Sequence, residues 1–256
     1  MIRVLKFGSS VLGSERDLPV AVAAVGRELA AGRRVVAVVS AFGRTTDELL
    51  ARAEQLGLPP DSEATAALLA SGETVASALL AIALHHASVP AILLDPVQAG
   101  LRTGGARLAA EPRAVDAGRI RAALSRGVAV LPGFAGRDAA GGTTLLGRGG
   151  SDLTAIFLAR ALGGDCVLFK DTDGIYTGDP NLDAAARRFA CASYRTVIEV
   201  AGQAVQERAV RFAAARGVEF LVTTADGGEG PGPWIGPGPD RLAPFAAEQT
   251  AWEGAA

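Results

Sequence analysis

IRVLKFGSSVLGSERDLPVAVAAVGRELAAGRRVVAVV, residues 2–39, is the stretch that decides the fold class. Residues 2–7 alternate as a buried strand does and run into a turn of small residues, Gly8-Ser9-Ser10. Apolar positions at helical spacing predict a helix over 18–31, with Asp17 as its N-cap, Pro19 in its first turn and Gly32 closing it. A second strand, mostly valine and alanine, covers 33–39 and ends in Ser40-Ala41-Phe42-Gly43. Strand, helix and strand within about 40 residues form a βαβ unit, so the two strands are parallel.

Working outward from this unit, helices are expected over 45–56 and 64–85, parted by Pro59-Pro60, and a strand over 91–94. The helical signal lapses over 98–110, which reads as a hairpin or lid. A helix over 116–125 and a strand over 128–131 lead to Pro132-Gly133 and a glycine-rich loop at 136–150. A helix over 152–162, a strand over 166–170 and a run of turn formers at 171–180 follow. Helices over 194–201 and 205–215 and a strand over 219–223 complete the pattern. Residues 1–224 are thus expected to form one domain without internal repeats. From 225 to 256 glycine, proline and acidic residues lack periodicity, and this tail is expected to be mostly extended or disordered, with a few residues docked.

Of the 256 residues 49% are hydrophobic, which is ample for one large α/β core. The net charge is only −2 and no run of Lys and Arg occurs, so neither a nucleic acid nor an acidic membrane is the expected partner; a small molecule is. The two cysteines, Cys166 and Cys191, form no CxxC pair, which argues against a disulfide framework and a zinc site. The adjacent His85 and His86 lack the further spaced donors a metal needs and read as surface or helix-end residues. With no signal peptide at the N-terminus and no uninterrupted apolar run of about 18 residues, the expected location is cytoplasmic.

Ligands of open parallel sheets bind at the carboxyl ends of the strands. Four segments fall there: 6–10, 40–47, 133–152 and 170–180. Their glycines let backbone N–H groups approach phosphate oxygens, and their lysines supply point charges. No Walker pattern GxxxxGK[ST] and no GxGxxG after a strand is present, which argues against a P-loop kinase and a dinucleotide-binding dehydrogenase. The sharpest signal is Gly147-Arg148-Gly149-Gly150-Ser151-Asp152, where glycines, a cation, a hydroxyl and a carboxylate meet at the start of a helix. Taken singly, Ser151 or Asp152 reads equally well as a helix cap, Lys6 as a solvated strand-end lysine, and Glu73 as a paired structural carboxylate. Their combination is what points to a site.

In order along the chain, KFGSS (6–10), VVSAFGRTTDEL (38–49), SGE (71–73), GFAG (133–136), TTLLGRGGSDLT (143–154) and KDTDGIYTGDP (170–180) resemble motifs of the amino acid kinase superfamily, and within it of the aspartokinase catalytic domain. The resemblance implies a three-layer α/β/α sandwich around a mainly parallel sheet. It also implies transfer of the γ-phosphoryl group of ATP, with Mg carried by the nucleotide and no metal ligand assigned on the protein, to the side-chain carboxylate of aspartate. By resemblance Lys6, Asp152 and Arg148 are catalytic. Lys6 neutralises phosphate oxygens beside the Gly8, Ser9 and Ser10 amides, Asp152 organises the cations, and Arg148 clamps the α-carboxylate. Glu73 takes the α-ammonium, with Ser40, Thr46, Phe134 and Ser151 lining the amino-acid pocket. Lys170, Asp171, Thr172, Tyr176, Asp179 and Gln203 hold the nucleotide.

The sequence departs from the family pattern at several points. Gly8-Ser9-Ser10 is one residue shorter than the aspartokinase loop and is similar to that of glutamate 5-kinase. Asn181 stands where an arginine follows the DP pair, and Gln203 aligns with a phosphate-binding lysine. Lys170, at a position usually Thr or Ser, is expected to supply the missing cation. No ACT domain follows, so feedback control through one is not expected within the chain. The resemblance further implies a homodimer, through helices between residues 45 and 85, and leaves room for a separate dehydrogenase or regulatory partner. The competing readings are a kinase for another carboxylate and a catalytically weak, ligand-binding paralogue.

Overall fold

The fold was obtained as a computed structural model, which describes residues 1–57, 59, 61–200, 204–226 and 232–244. The expected βαβ unit is present as β1 (Ile2–Phe7), α1 (Leu18–Ala30) and β2 (Arg34–Val39), after a short 3-10 turn at Glu15–Asp17. Asp17 stands at the N-cap of α1 without capping it; its carboxylate instead accepts the Ser14 N–H at 2.8 Å, closing the capping box of the preceding turn. Helices α2 (Thr45–Gln55) and α3 (Glu63–His86) and strand β3 (Ala91–Leu93) follow. Then come β4 (Arg102–Gly104), β5 (Glu111–Ala114), α4 (Ala117–Leu124), β6 (Val128–Pro132), β7 (Ala135–Arg137) and β8 (Thr143–Leu145). The chain continues with α5 (Gly150–Leu162), β9 (Asp165–Lys170), β10 (Phe189–Ser193), α6 (Tyr194–Val200), α7 (Glu207–Arg216) and β11 (Phe220–Thr224), and ends its described part with β12 (Trp234–Gly236) and β13 (Arg241–Leu242).

Among the described residues nine strands form the main sheet, in the order β13-β10-β12-β11-β9-β1-β2-β6-β3. From β3 to β11 every neighbouring pair is parallel. Strand β1 lies at the centre, with β2 on one side and β9 on the other, so the strand order reverses here and a crevice opens at the carboxyl ends. Because successive side chains alternate across a strand, Ile2 and Val4 of β1 and Cys166 and Leu168 of β9 enter the core under α5. Leu5, Phe7, Val167 and Phe169 enter the opposite core under α1 and α3. Both faces are therefore covered, which makes three layers and explains why the central strands read as nearly continuous apolar runs.

Two regions gain detail in the structure, where β4 pairs antiparallel with β5 as a hairpin does and part of the tail docks on the main sheet. The stretch read as a hairpin or lid supplies β4, which with β5, β7 and β8 forms a second, four-stranded sheet. Within the composition-defined tail, β12 pairs antiparallel with β11 and parallel with β10, and β13 adds to β10 at the edge. Ile235 is fully buried there. These strands have two or three residues each, too few to show alternation, and their backbone partners are distant in sequence. Helix α3 is long and apolar enough by composition to cross a membrane, but Ala76, Leu80 and Leu84 pack it onto the sheet as a core helix.

Candidate active site

The period of two that buries Val4 and Cys166 also places Lys6 and Lys170, at the carboxyl ends of adjacent strands, on the face that α5 covers. Asp152, in the first turn of α5, meets both. Its Oδ1 lies 2.7 Å from Lys6 Nζ and its Oδ2 2.8 Å from Lys170 Nζ. All three side chains are almost entirely removed from solvent. Gly8 leaves this ammonium its place, since a Cβ at that position would stand 2.7 Å from Lys6 Nζ and push it aside. Burial alone would raise the Asp152 pKa, but the Lys6 and Lys170 charges outweigh it and hold the carboxyl below its usual range. Burial, and then the nearby Lys6 charge, lower the Lys170 pKa, only partly offset by Asp152. Two ammonium groups thus share one carboxylate in a buried place, and the cluster retains a surplus positive charge that favours an anion.

The helix-capping alternative for Ser151 and Asp152 does not hold. Gly149, in the left-handed region at φ 73°, is the N-cap of α5. Ser151 Oγ instead donates to Glu73 Oε1 at 2.7 Å. That contact joins α3 and α5, helices from opposite layers, over the ends of the strands. Glu73 is 4% exposed, and its Oε2 finds no hydrogen-bond partner among the described residues. Burial pushes its pKa up to about 8, although the Ser151 hydroxyl and the Lys6 charge pull the other way. A buried carboxyl group with one oxygen unsatisfied, facing a cavity, leaves an acceptor open to a hydrogen-bonding group.

Lys6, Glu73, Ser151, Asp152 and Lys170 line one cavity of about 290 Å³, together with Ser9, Ser40, Thr46, Phe134 and Arg148. Arg148 is exposed at its rim, and none of the ion pairs among the described residues occupies its guanidinium. Phe134 has a φ of 57°, unusual for a residue with a Cβ, and its carbonyl accepts the Leu146 N–H. A second cavity of about 480 Å³ is lined by Asp171, Thr172, Tyr176, Asp179 and Asn181, with Val200 and Ala204 opposite. Tyr176 donates to Asp173 at 2.8 Å, and Asp179 accepts the Asn181 backbone and side-chain N–H groups at 2.9 and 3.1 Å. The Asp179 carboxylate thus closes a tight turn in this loop, and the Asn181 side chain adds a second bond to it. Lys170 lines the first cavity and its chain neighbour Asp171 the second. Ser10 is exposed and lines neither, and Gln203 lies outside the described residues.

His85 and His86 are exposed in the last turn of α3, Cys166 is buried and Cys191 half-buried, both as free thiols. No group of three or more His, Cys, Asp or Glu that could hold a metal occurs among the described residues. Asp152, the carboxylate of the cluster, is already spent on two lysines, so a divalent cation fits here only as a companion of bound phosphates. The sequence reading missed Gln206, on the wall of the first cavity, and Arg208 behind it, for neither lies in a motif.

A mainly parallel α/β sandwich with a cationic crevice at its switch point defines a class of anion-handling site. The chain belongs to the amino acid kinase family, whose model matches residues 1–223. It is 37% identical over 227 residues to an aspartokinase of Thermus thermophilus, covering 87% of this chain and 56% of that protein. Among solved structures, an aspartate kinase from Synechocystis superposes with a TM-score of 0.82 at 31% identity, over 93% of this chain and 40% of that one. E. coli aspartokinase III, solved with aspartate and ADP, shares the fold with a TM-score of 0.75 at 24% identity, over 93% of this chain and 65% of that one. The chain spans little more than half the length of the curated relatives it matches.

Proposed function

We propose that this chain is the catalytic unit of an aspartate kinase, transferring the γ-phosphoryl group of ATP to the side-chain carboxylate of L-aspartate. One observation carries the reading: a buried cluster of two lysines around Asp152 shares its cavity with a buried glutamate whose second oxygen is unpartnered. The lysines suit the transferring phosphate, and Glu73 suits an α-ammonium. Arg148 at the rim suits an α-carboxylate, which its planar fork can grip with two hydrogen bonds.

In the reaction, an oxygen of the substrate carboxylate attacks the γ-phosphorus in line, and the bond to the bridging oxygen of the departing ADP breaks. The product is an acyl phosphate. Phosphoryl transfer asks for positioning and charge neutralisation, and this chain supplies both. Lys6 and Lys170 meet developing charge on the phosphate oxygens, and Asp152 fixes the spacing of the two ammoniums. Glu73 and Arg148 orient the amino acid. Mg would be carried by the nucleotide, with no ligand set on this chain assigned to it, and would add neutralisation of phosphate charge to that supplied by Lys6 and Lys170. The loop from Asp171 to Asn181 holds the nucleotide.

The test is ATP turnover with L-aspartate, trapping the acyl phosphate as hydroxamate. Product with aspartate supports the reading. Product with glutamate or another amino acid only would keep the kinase and replace the substrate. ATP binding without turnover on any acid would make the chain a ligand-binding paralogue.

Lys170 is the cation that stands in for the lysine replaced by Gln203. Lys170→Ala then raises the KM for ATP about tenfold or more, the worth of one charge-assisted hydrogen bond. Unchanged ATP kinetics in that variant would end this idea. We further place the protein in the cytoplasm, as a homodimer. Val75 and Ile82 are exposed along one side of α3 and would be covered in such a dimer. Sedimentation at micromolar concentration should return twice the chain mass; a monomer mass would remove the dimer.

A further inference from the structure

We propose that Arg208 is a positioning residue for Arg148, acting through the backbone of the loop that carries it. The inference rests on the reading of Arg148 as the clamp for the substrate α-carboxylate.

Arg208 lies in the first turn of α7, and its guanidinium reaches back to the second sheet. It donates to the carbonyl oxygens of Leu146, of Ala109 at 2.9 Å and of Ala110 at 2.6 Å. These carbonyls come from two segments far apart in sequence, already joined by the Ala110 N–H bond to the Leu145 carbonyl at 2.8 Å. Three carbonyl dipoles converging on one point repel each other unless a cation with several donors lies between them. A planar fork with five N–H groups meets that need, and a lysine does so poorly.

Leu146 immediately precedes Gly147-Arg148-Gly149. Its carbonyl therefore ties the base of the loop to α7, beyond which a turn closed by the Gly150 N–H on the Gly147 carbonyl at 2.9 Å carries Arg148 to the rim. The far side of the loop packs closely on the N-cap residue of the same helix, since a Cβ on Gly149 would come within 2.4 Å of the Gln206 Cβ. Arg148 itself is exposed and has no ion-pair partner among the described residues. No ion pair among the described residues fixes its guanidinium, so the reach of that group starts from a loop backbone that is anchored to Arg208 at its base and packs against Gln206. None of the contacts of Arg208 touches the Lys6–Asp152–Lys170 cluster.

The experiment is steady-state kinetics with L-aspartate and ATP on four variants: R148A, R208A, R208K and the double variant R148A/R208A. Misplacement of a clamp by about an ångström is expected to raise the KM for aspartate on the order of 10- to 100-fold in R208A, leaving the KM for ATP within about twofold. R208K should recover only part of the loss. In the R148A background, Arg208→Ala should add less than about twofold, because the group it positions is gone. Equal rises in both KM values, or the same factor with and without Arg148, would make Arg208 a general structural residue and overturn the inference. If R208A does not fold, R208K and R208Q carry the same comparison. Normal aspartate kinetics in R148A would instead refute the clamp reading. Impaired R148A beside unimpaired Arg208 variants would refute this inference alone.

Discussion

Asp152→Ala lowers hydroxamate formation from ATP and aspartate on the order of 10³-fold, the scale of losing a preorganised electrostatic group at a reacting centre. The reason is the sharing of its two oxygens, at 2.7 and 2.8 Å, between Lys6 and Lys170. Without the carboxylate, two buried ammoniums face each other with no counter-charge. One or both then lose their protons or move apart, and the phosphate loses its partners. Breaking a buried pair by removing one member costs about 3–5 kcal/mol, so the thermal midpoint should fall as well. Added ATP should restore part of it, because phosphates supply the missing negative charge. The sign of the acid dependence follows from the depressed Asp152 pKa. The stability it contributes is present above about pH 4, the ordinary aspartate value, and is lost as pH falls through the lower folded-state value. Asp152→Asn keeps the shape and should be nearly as inactive. Activity within tenfold of wild type in either variant would contradict the assigned site.

Glu73 yields a prediction of similar size with the opposite pH sign. Its pKa is raised from 4.5 to about 8, chiefly by burial. Below pH 4.5 both the folded and unfolded chains hold the proton and no penalty arises. Between 4.5 and about 8 only the folded chain holds it, so stability declines as pH rises, and the full loss, on the order of 5 kcal/mol at 1.36 kcal/mol per pH unit, is reached above about 8. Glu73→Gln should therefore match wild type near pH 4.5 and exceed it by several kcal/mol at pH 8.5 in denaturant unfolding. The same variant should bind aspartate poorly, because a neutral amide does not satisfy an α-ammonium. In the wild type the ligand's ammonium must displace the Glu73 proton. Hence the KM for aspartate should fall about tenfold per unit as pH rises from 6 towards 8 and then level off. A flat KM profile in wild type, or an equally sloped one in Glu73→Gln, would remove Glu73 from the ammonium site.

These two predictions rest on groups of different legibility. Lys6, Arg148, Ser151 and Asp152 stood in short segments dense with glycine and charge at strand ends, and the structure brings Lys6, Ser151 and Asp152 together. The alternation that buried Val4 already implied which face Lys6 takes. Glu73, by contrast, sat inside a long apolar helix, where nothing local separates a ligand-binding carboxylate from a structural one. Its unpartnered oxygen exists only because α3 and α5 meet over the strand ends.

Much of the fold was settled by local pattern. The βαβ unit, the central parallel strands and the main helices follow from periodicity and from turn residues, all of which act within a few positions. What only the tertiary structure decided lies in pairings between distant residues. Strands β12 and β13 come from a Gly/Pro-rich segment and exist through backbone bonds to β10 and β11. Strands β4, β5, β7 and β8 are short pieces that become a sheet only together. Arg208 draws its meaning from three carbonyls that lie 62 to 99 positions earlier in the chain. Periodicity reports which face of an element is apolar, since burial of that face is a property of the element itself. It carries no information on which carbonyl a guanidinium will reach, because that depends on how whole layers pack.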